Sequence, residues 1–251
     1  MTSESGPDGH GRILYGRRRG RRLRPRRQAL VSDLLPHLAL TLPADGVADF
    51  DPLRAFTAAV PGLPDLPRPR EVRIEIGFGA GEHLAAQARN HPEIGFIGCE
   101  HYINGVAALL SEIDRLGLGN IRIFMDDARK LIDALAGNSV TRVDLLFPDP
   151  WPKARHHKRR FISPETLDQL ARIIGDGGEL RFASDDSGLV RWTLEAVLDH
   201  GDFIWLATRP SDWRNRPADS IATRYEAKAN EAGRACVFLR FARKPRPGKR
   251  P

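Results

Sequence analysis

The chain has 251 residues, of which 41% are hydrophobic, enough to bury the core of one large domain or of a domain with a tail. No apolar run approaches the ~18 residues of a membrane span. The polar and then arginine-rich start carries no expectation of a secretory leader. Cys99 and Cys236 are the only cysteines. Two thiols without metal-ligand spacing exclude a disulfide scaffold and argue against a zinc site, so a reducing compartment, the cytoplasm, is expected.

The net charge of +7 is concentrated at the front of the chain. Residues 1–27 hold nine arginines against Glu4 and Asp8, so this segment alone carries +7 and the remaining residues sum to zero. A glycine-containing block of like charge reads as a disordered tail, serving either contact with a polyanion or solubility. Residues 28–70 are punctuated by seven prolines and read as an extension packed on the main domain. Within it, "DPLRAFTAAV" predicts a short helix with Asp51 as N-cap and Pro52 at the first position.

From Glu71 the pattern alternates strand and helix. "EVRIEIG" predicts a strand and "GEHLAAQARN" a helix; "GFIGCE" and "INGVAALLSEIDRLG" repeat the pair, as do "IRIFM" and "ARKLIDALA". "RVDLLF" is a fourth strand. A helix then starts at Ser163–Pro164, with Thr166 standing where a capping-box Glu or Gln is usual. "GELRFAS" is a fifth strand, "SGLVRWTLEAVLDH" a helix, and "FIWLAT" and "ACVFLRFAR" two late strands with no long helix between them. This alternation implies βαβ units, a mostly parallel sheet with helices on both faces and an antiparallel hairpin at one edge.

"EIGFGAGEHL" places Gly77, Gly79 and Gly81 between the first strand and its helix, where glycine permits positive φ and close approach of a ligand. The spacing is not the G-x-G-x-x-G of a dinucleotide site, and Glu82 sets negative charge where a pyrophosphate would sit. A phosphate-free nucleoside ligand such as S-adenosylmethionine fits better. Glu100, ending the second strand, is placed to accept ribose hydroxyls, and Asp127, past the third, stands near an adenine. Both are also readable as solvated strand-end acids. Glu75 lies inside the first strand between Ile74 and Ile76; it faces the methionine end of the ligand or needs some other partner.

The fourth strand runs into "LLFPDPWPKARHHKRRF", residues 145–161. Asp149 is held between Pro148 and Pro150, whose fixed φ stiffens the turn. Lys153, Arg155, His156, His157, Lys158, Arg159 and Arg160 follow as a basic run suited to phosphates. Trp151 either stacks on a base or, the favoured reading, plugs the core. The two histidines lack metal-ligand partners at suitable spacing, so no metal is expected.

Together "EIGFGAGEHL", "GCE", "DDA", "FPDPWPKARHHKRRF", "ASDD" and "TRYEAKANEAG" resemble the tRNA (guanine-N7)-methyltransferase family, from about Glu71 to Arg243. The resemblance implies a class I methyltransferase (Rossmann-like) domain from 71 to 251. Its sheet would be seven-stranded and mostly parallel, with the last strand antiparallel. It also implies S-adenosylmethionine as cofactor and a guanine of the tRNA variable loop, position 46, as target. By the same resemblance Glu75, Glu100 and Asp127 are cofactor contacts, and Asp149 is both cofactor-adjacent and catalytic. Lys153 and the run Arg155–Arg160 contact RNA, and Asp185, Thr223, Arg224, Tyr225 and Glu226 are further substrate contacts. Pro152 stands where relatives often carry histidine.

The residues themselves leave two rivals. "DPW" echoes the acid-Pro-Pro-aromatic turn of amino-directed nucleic-acid methyltransferases, but lacks the second proline. A non-catalytic RNA-binding protein would use only the tail and the basic loop.

Overall fold

The computed structural model describes residues 16, 18–43 and 49–248; most of the expected tail lies outside them. A seven-stranded sheet forms the centre: β1 Val72–Ile76, β2 Gly95–Cys99, β3 Ile121–Phe124, β4 Val140–Leu146, β5 Ile174–Ser184, β6 Phe203–Trp205 and β7 Val237–Arg243. Their spatial order is β3-β2-β1-β4-β5-β7-β6. The strands from β1 to β5 pair in parallel. β7 runs antiparallel to both β5 and β6, so the late hairpin forms with β6 outermost. The strand order reverses between β1 and β4, and the crevice beyond their carboxyl ends is where an open α/β sheet binds ligands.

The helices are α1 Pro25–Asp33, α2 Leu35–Leu38, α3 Glu82–Asn90, α4 Ile103–Leu116, α5 Ala128–Ala134, α6 Pro164–Ile173, α7 Ser187–His200, α8 Ser211–Arg214 and α9 Arg224–Glu231. Two apolar clusters separate them into layers. One joins Ile74 and Ile76 of β1 to Leu131 of α5, Leu167 and Leu170 of α6, and Val197 of α7. The other joins Leu84 of α3 and Val106, Leu109, Leu110 and Ile113 of α4 to Ile121 and Ile123 of β3, with Leu34 and Leu38 closing it. The α4 positions fall at i, i+3, i+4 and i+7, one helical face, and each such buried aliphatic side chain is worth about 1.5–3 kcal/mol.

Local signals account for most element ends. Asp51 accepts from the Leu53 amide as expected, but the helix it caps is a 3-10 turn of Pro52–Phe56 only. The Thr166 hydroxyl completes the capping box with Ser163 in place of the usual Glu or Gln, because threonine can accept from the Ser163 amide at 2.9 Å. α1 begins at Pro25, three residues inside the expected tail. Pro25 occupies the first helical turn and Leu30 and Val31 pack on the second cluster. Ahead of it, Arg18 and Arg21 offer backbone carbonyls to the Ile103 amide and the Asn104 side chain.

One face of β1, β4, β5 and β7 is charged rather than apolar. Register puts Glu75 beside Asp144, Asp144 beside Arg181, and Arg181 beside Arg240; one row over, Arg73 neighbours Arg142 and Arg142 neighbours Glu179. His83 and Gln87 from α3 cover part of this face, and the loop that carries Asp219 meets Arg142 and Arg181 on it.

Candidate active site

A cleft of about 510 Å³ opens at the carboxyl ends of β1, β2 and β4. Gly77, Gly79, Glu100, Tyr102, Asp127 and Arg129 line one side; Phe147, Pro148, Asp149 and Trp151 line the other, with Arg159, Arg224 and Tyr225 at the rim. The predicted glycine turn, two of the predicted carboxylates and the aspartate turn thus converge.

The glycines are there for backbone reasons. Gly77, Gly79 and Gly81 have φ of 70°, 60° and 79°. A Cβ on Gly81 would stand 2.6 Å from Leu109, and one on Gly105 would stand 2.1 Å from the Gly79 carbonyl oxygen. Gly105, which the sequence reading passed over, therefore lets the start of α4 press against the turn.

Glu100 joins the turn to α4. Its Oε2 accepts from the Gly79 amide at 3.0 Å and its Oε1 from the Tyr102 amide at 2.9 Å. Each oxygen keeps a lone pair, so the carboxylate is oriented without being exhausted, as a ribose diol requires. Asp127 lines the cleft differently. Its Oδ1 caps α5 at the Arg129 amide, and both oxygens accept from Arg129 Nε at 2.9 Å, so it enters the wall as half of an ion pair.

Glu75 is absent from the cleft. It is buried on the charged face of the sheet, where its Oε2 meets His83 Nδ1 at 2.7 Å. A charge among strand apolars did need a partner, and here it meets His83 of α3. Burial pushes the Glu75 carboxyl up, partly offset by His83. Burial also opposes charge on His83, but the adjacent Glu75 carboxylate outweighs it and the imidazole rises above its ordinary value.

The aspartate turn is strained and pinned. Phe147 and Trp151, flanking Pro148–Pro150, have φ of 50° and 45°. Such values in bulky residues cost of order 1–3 kcal/mol each and persist only where surroundings enforce them. The Phe147 amide donates to the Ala183 carbonyl at 2.7 Å, and Arg160 Nε donates to the Pro150 carbonyl at 3.1 Å. The Asp149 side chain is left exposed at the tip.

The basic run forms a 3-10 turn, Ala154–Arg159, and its cations do not all face outward. Lys153, Arg155 and Lys158 are exposed, whereas Arg160 is buried with its guanidinium 5.0 Å from the Trp192 ring centre. His157 tilts against the same ring. Arg159 lies 4.8 Å over Trp151, and His156 meets that indole edge-on. Trp151 is thus not the core plug that was favoured; the positive φ turns it to the cleft wall, where the basic turn covers it. Desolvation and then Arg159, Arg155, Lys153 and Lys158 hold His156 below its ordinary pKa.

The late residues divide as well. Thr223 caps α9 at the Glu226 amide. Tyr225, 42% exposed, stacks on Phe147 at 6.3 Å and 16°. Arg224 faces Glu82 at 3.8 Å across the glycine turn. Glu226 is held by Arg216 Nε at 3.1 Å, and Asp185 by Arg234 Nε at 2.6 Å; neither lines the cleft. The neighbouring Asp186 is the N-cap of α7, which leaves Asp185 as the acid of the pair not spent on capping. Among the described residues, no three His, Cys, Asp or Glu gather to hold a metal ion, and no helix is long and apolar enough to cross a membrane.

Residues 69–239 match the family model described as "Putative methyltransferase". The chain is 51% identical over 237 residues to a tRNA (guanine-N(7)-)-methyltransferase of Rhodospirillum rubrum, covering 93% of this chain and 88% of that protein. It is 44% identical to one of Chelativorans sp. over 96% and 99%. Among solved structures, the crystal structure of the 16S rRNA methyltransferase KamB superposes with a TM-score of 0.51 at 16% identity, covering 70% of this chain and 89% of that one, a likeness of fold alone. The chain belongs to the tRNA (guanine-N7)-methyltransferase family.

Proposed function

We propose that this protein transfers the methyl group of S-adenosylmethionine to N7 of a tRNA guanine, with position 46 of the variable loop as target, in the cytoplasm. The observation that carries this reading is the joining, in one cleft, of an oriented carboxylate beside a glycine turn and an exposed aspartate on a strained turn next to a basic loop. The cleft residues fit the cofactor. Glu100 keeps acceptor capacity for ribose hydroxyls, and the backbone at Gly77 is open to close approach. When bound, S-adenosylmethionine supplies a methyl group carried on a sulfonium.

Guanine N7 has a lone pair and loses no proton before attack. The chain's work is therefore positioning and charge. Asp149 accepts from N1–H and the exocyclic amine, fixing the base. Its negative charge favours the purine as positive charge develops. The prolines and the Arg160 bond hold that carboxylate still, and positioning is a large share of catalysis in a displacement. Lys153, Arg155 and Lys158 meet phosphates, which orient the RNA without reading its sequence. Tyr225 offers a ring face beside the cleft for stacking.

The test is methyl transfer from labelled S-adenosylmethionine to unmodified tRNA transcripts, with and without the variable-loop guanine. Label in a nucleotide labile to reduction and mild alkali, lost with that guanine, is the expected result. Methyl on adenine, or label indifferent to the deletion, overturns it.

A further inference from the structure

Arg142 and Arg181 are buried on adjacent strands, and the acid that meets both comes from a remote loop. Asp219 accepts from Arg181 Nη1 at 2.8 and 3.0 Å and from Arg142 Nη1 at 3.4 Å. Gln87 of α3 donates to its backbone carbonyl, and the same Gln87 accepts from Arg142. Burial opposes charge on Asp219, but Arg181 and then Arg142 outweigh it and hold the carboxyl below its ordinary pKa, so the clasp is ionic at neutral pH.

The loop beyond the clasp is cross-linked to itself by hydrogen bonds. Arg216 grips both the Ser220 carbonyl at 3.0 Å and the Glu226 carboxylate at 3.1 Å. Ser220 donates to the Pro217 carbonyl, and Thr223 caps the helix that follows. At the far end of this stapled unit Tyr225 stacks on Phe147, the residue that opens the aspartate turn. A Cβ on Gly79 would stand only 3.2 Å from the Tyr225 hydroxyl, so the ring closes over the glycine turn.

We propose that Asp219 is a positioning residue for methyl transfer: clasped by Arg142 and Arg181, it seats the 216–226 unit so that Tyr225 stands over the cleft. This rests on the function proposed above and names the device that sets one wall of its site. Asp219 touches neither ligand and acts through Tyr225.

The experiment compares wild type, Asp219→Ala, Tyr225→Ala and the double variant, using the full chain. Displacing a positioning group costs roughly 10- to 100-fold in kcat/KM for tRNA, and that loss is expected in Asp219→Ala while the S-adenosylmethionine Kd stays within about twofold. In the Tyr225→Ala background the Asp219 change should add nothing, since the two act in series. Additive losses, wild-type kinetics, or a donor affinity that falls with the turnover would each overturn the proposal. Amide exchange keeps it testable apart from the reaction. Asp219→Ala should speed exchange over residues 215–231 and leave β1 and β4 unchanged, and unchanged exchange there sinks the clasp. Absence of tRNA methylation by the wild type would instead refute the proposed function.

Discussion

Glu75 lies inside β1 and Glu100 just past the end of the neighbouring β2, and their surroundings differ in kind. Glu100 sits in the cleft and takes its hydrogen bonds from backbone amides of Gly79 and Tyr102, the nearest ionisable side chain, His101, standing off at 3.6 Å. Glu75 sits on the charged sheet face and takes its bond from a side chain, His83, with Asp144 and Arg142 close by. Backbone donors orient a carboxylate and leave its charge for a ligand. An ionisable side-chain partner consumes that charge, and the pair becomes part of the fold. Asp149 extends the first pattern, since the chain pins its backbone and leaves its carboxylate exposed.

The sharpest way to break this contrast is to remove the partner on the charged face. His83→Ala leaves Glu75 buried without its hydrogen-bond donor, and breaking such a pair costs about 3–5 kcal/mol. Denaturant titration at pH 6.5 should show that loss, with donor affinity per folded molecule unchanged. A stability cost below 1 kcal/mol would mean that the pair behaves like a surface contact.

Asp149→Ala should do the reverse. Kcat is expected to fall about 10²–10³-fold or more, the range for losing an electrostatic group aimed at developing charge. The melting temperature and the affinity for tRNA should hardly change. If tRNA binding disappears together with turnover, the aspartate organises the turn and does not serve the reaction. Glu100→Gln comes next. It preserves shape but replaces one acceptor oxygen by a donor, and a charged acceptor is worth about 1.5–3 kcal/mol. Calorimetry should show the donor Kd rising by roughly 10- to 100-fold. An unchanged Kd would place the ribose elsewhere.

Much of this was legible in the sequence because it rests on local chemistry. The glycines after β1, the prolines around Asp149 and the apolar strand runs each act within a few residues of themselves. What escaped was decided by contacts across the chain. A carboxylate inside β1 can face either a ligand or a helix, and only the placement of α3 turned Glu75 to His83. Trp151 looked like core because the αL turn that exposes it is not encoded by the tryptophan itself. Asp219 lies 77 residues from Arg142 in a loop without regular pattern, so no spacing rule links them. The basic run was legible as charge, but the inward turn of Arg160 depends on Trp192 and on the Pro150 carbonyl.

The mildest expected effect is a pH dependence confined to the charged face. Both Glu75 and His83 bind protons more tightly in the folded chain than their ordinary values imply. In the unfolded chain above pH 6.5 the glutamate is ionised and the histidine is losing its proton, whereas the folded pair retains one. The folded state therefore holds the extra proton, and stability must fall as pH rises. The contribution is fully present for His83 below about pH 6.5 and is lost as pH climbs through its raised value, at a slope of at most about 1.4 kcal/mol per pH unit. Unfolding midpoints should decline in order from pH 6.5 to 7.5 to 8.5. Glu75→Gln removes the charge that raises His83 while burial still lowers it, so the variant's midpoint should be flat or rise over the same window. A wild-type midpoint that climbs with pH, or a variant that declines in parallel with it, would show that the proton resides elsewhere, and that Glu75 is no more committed to the fold than Glu100.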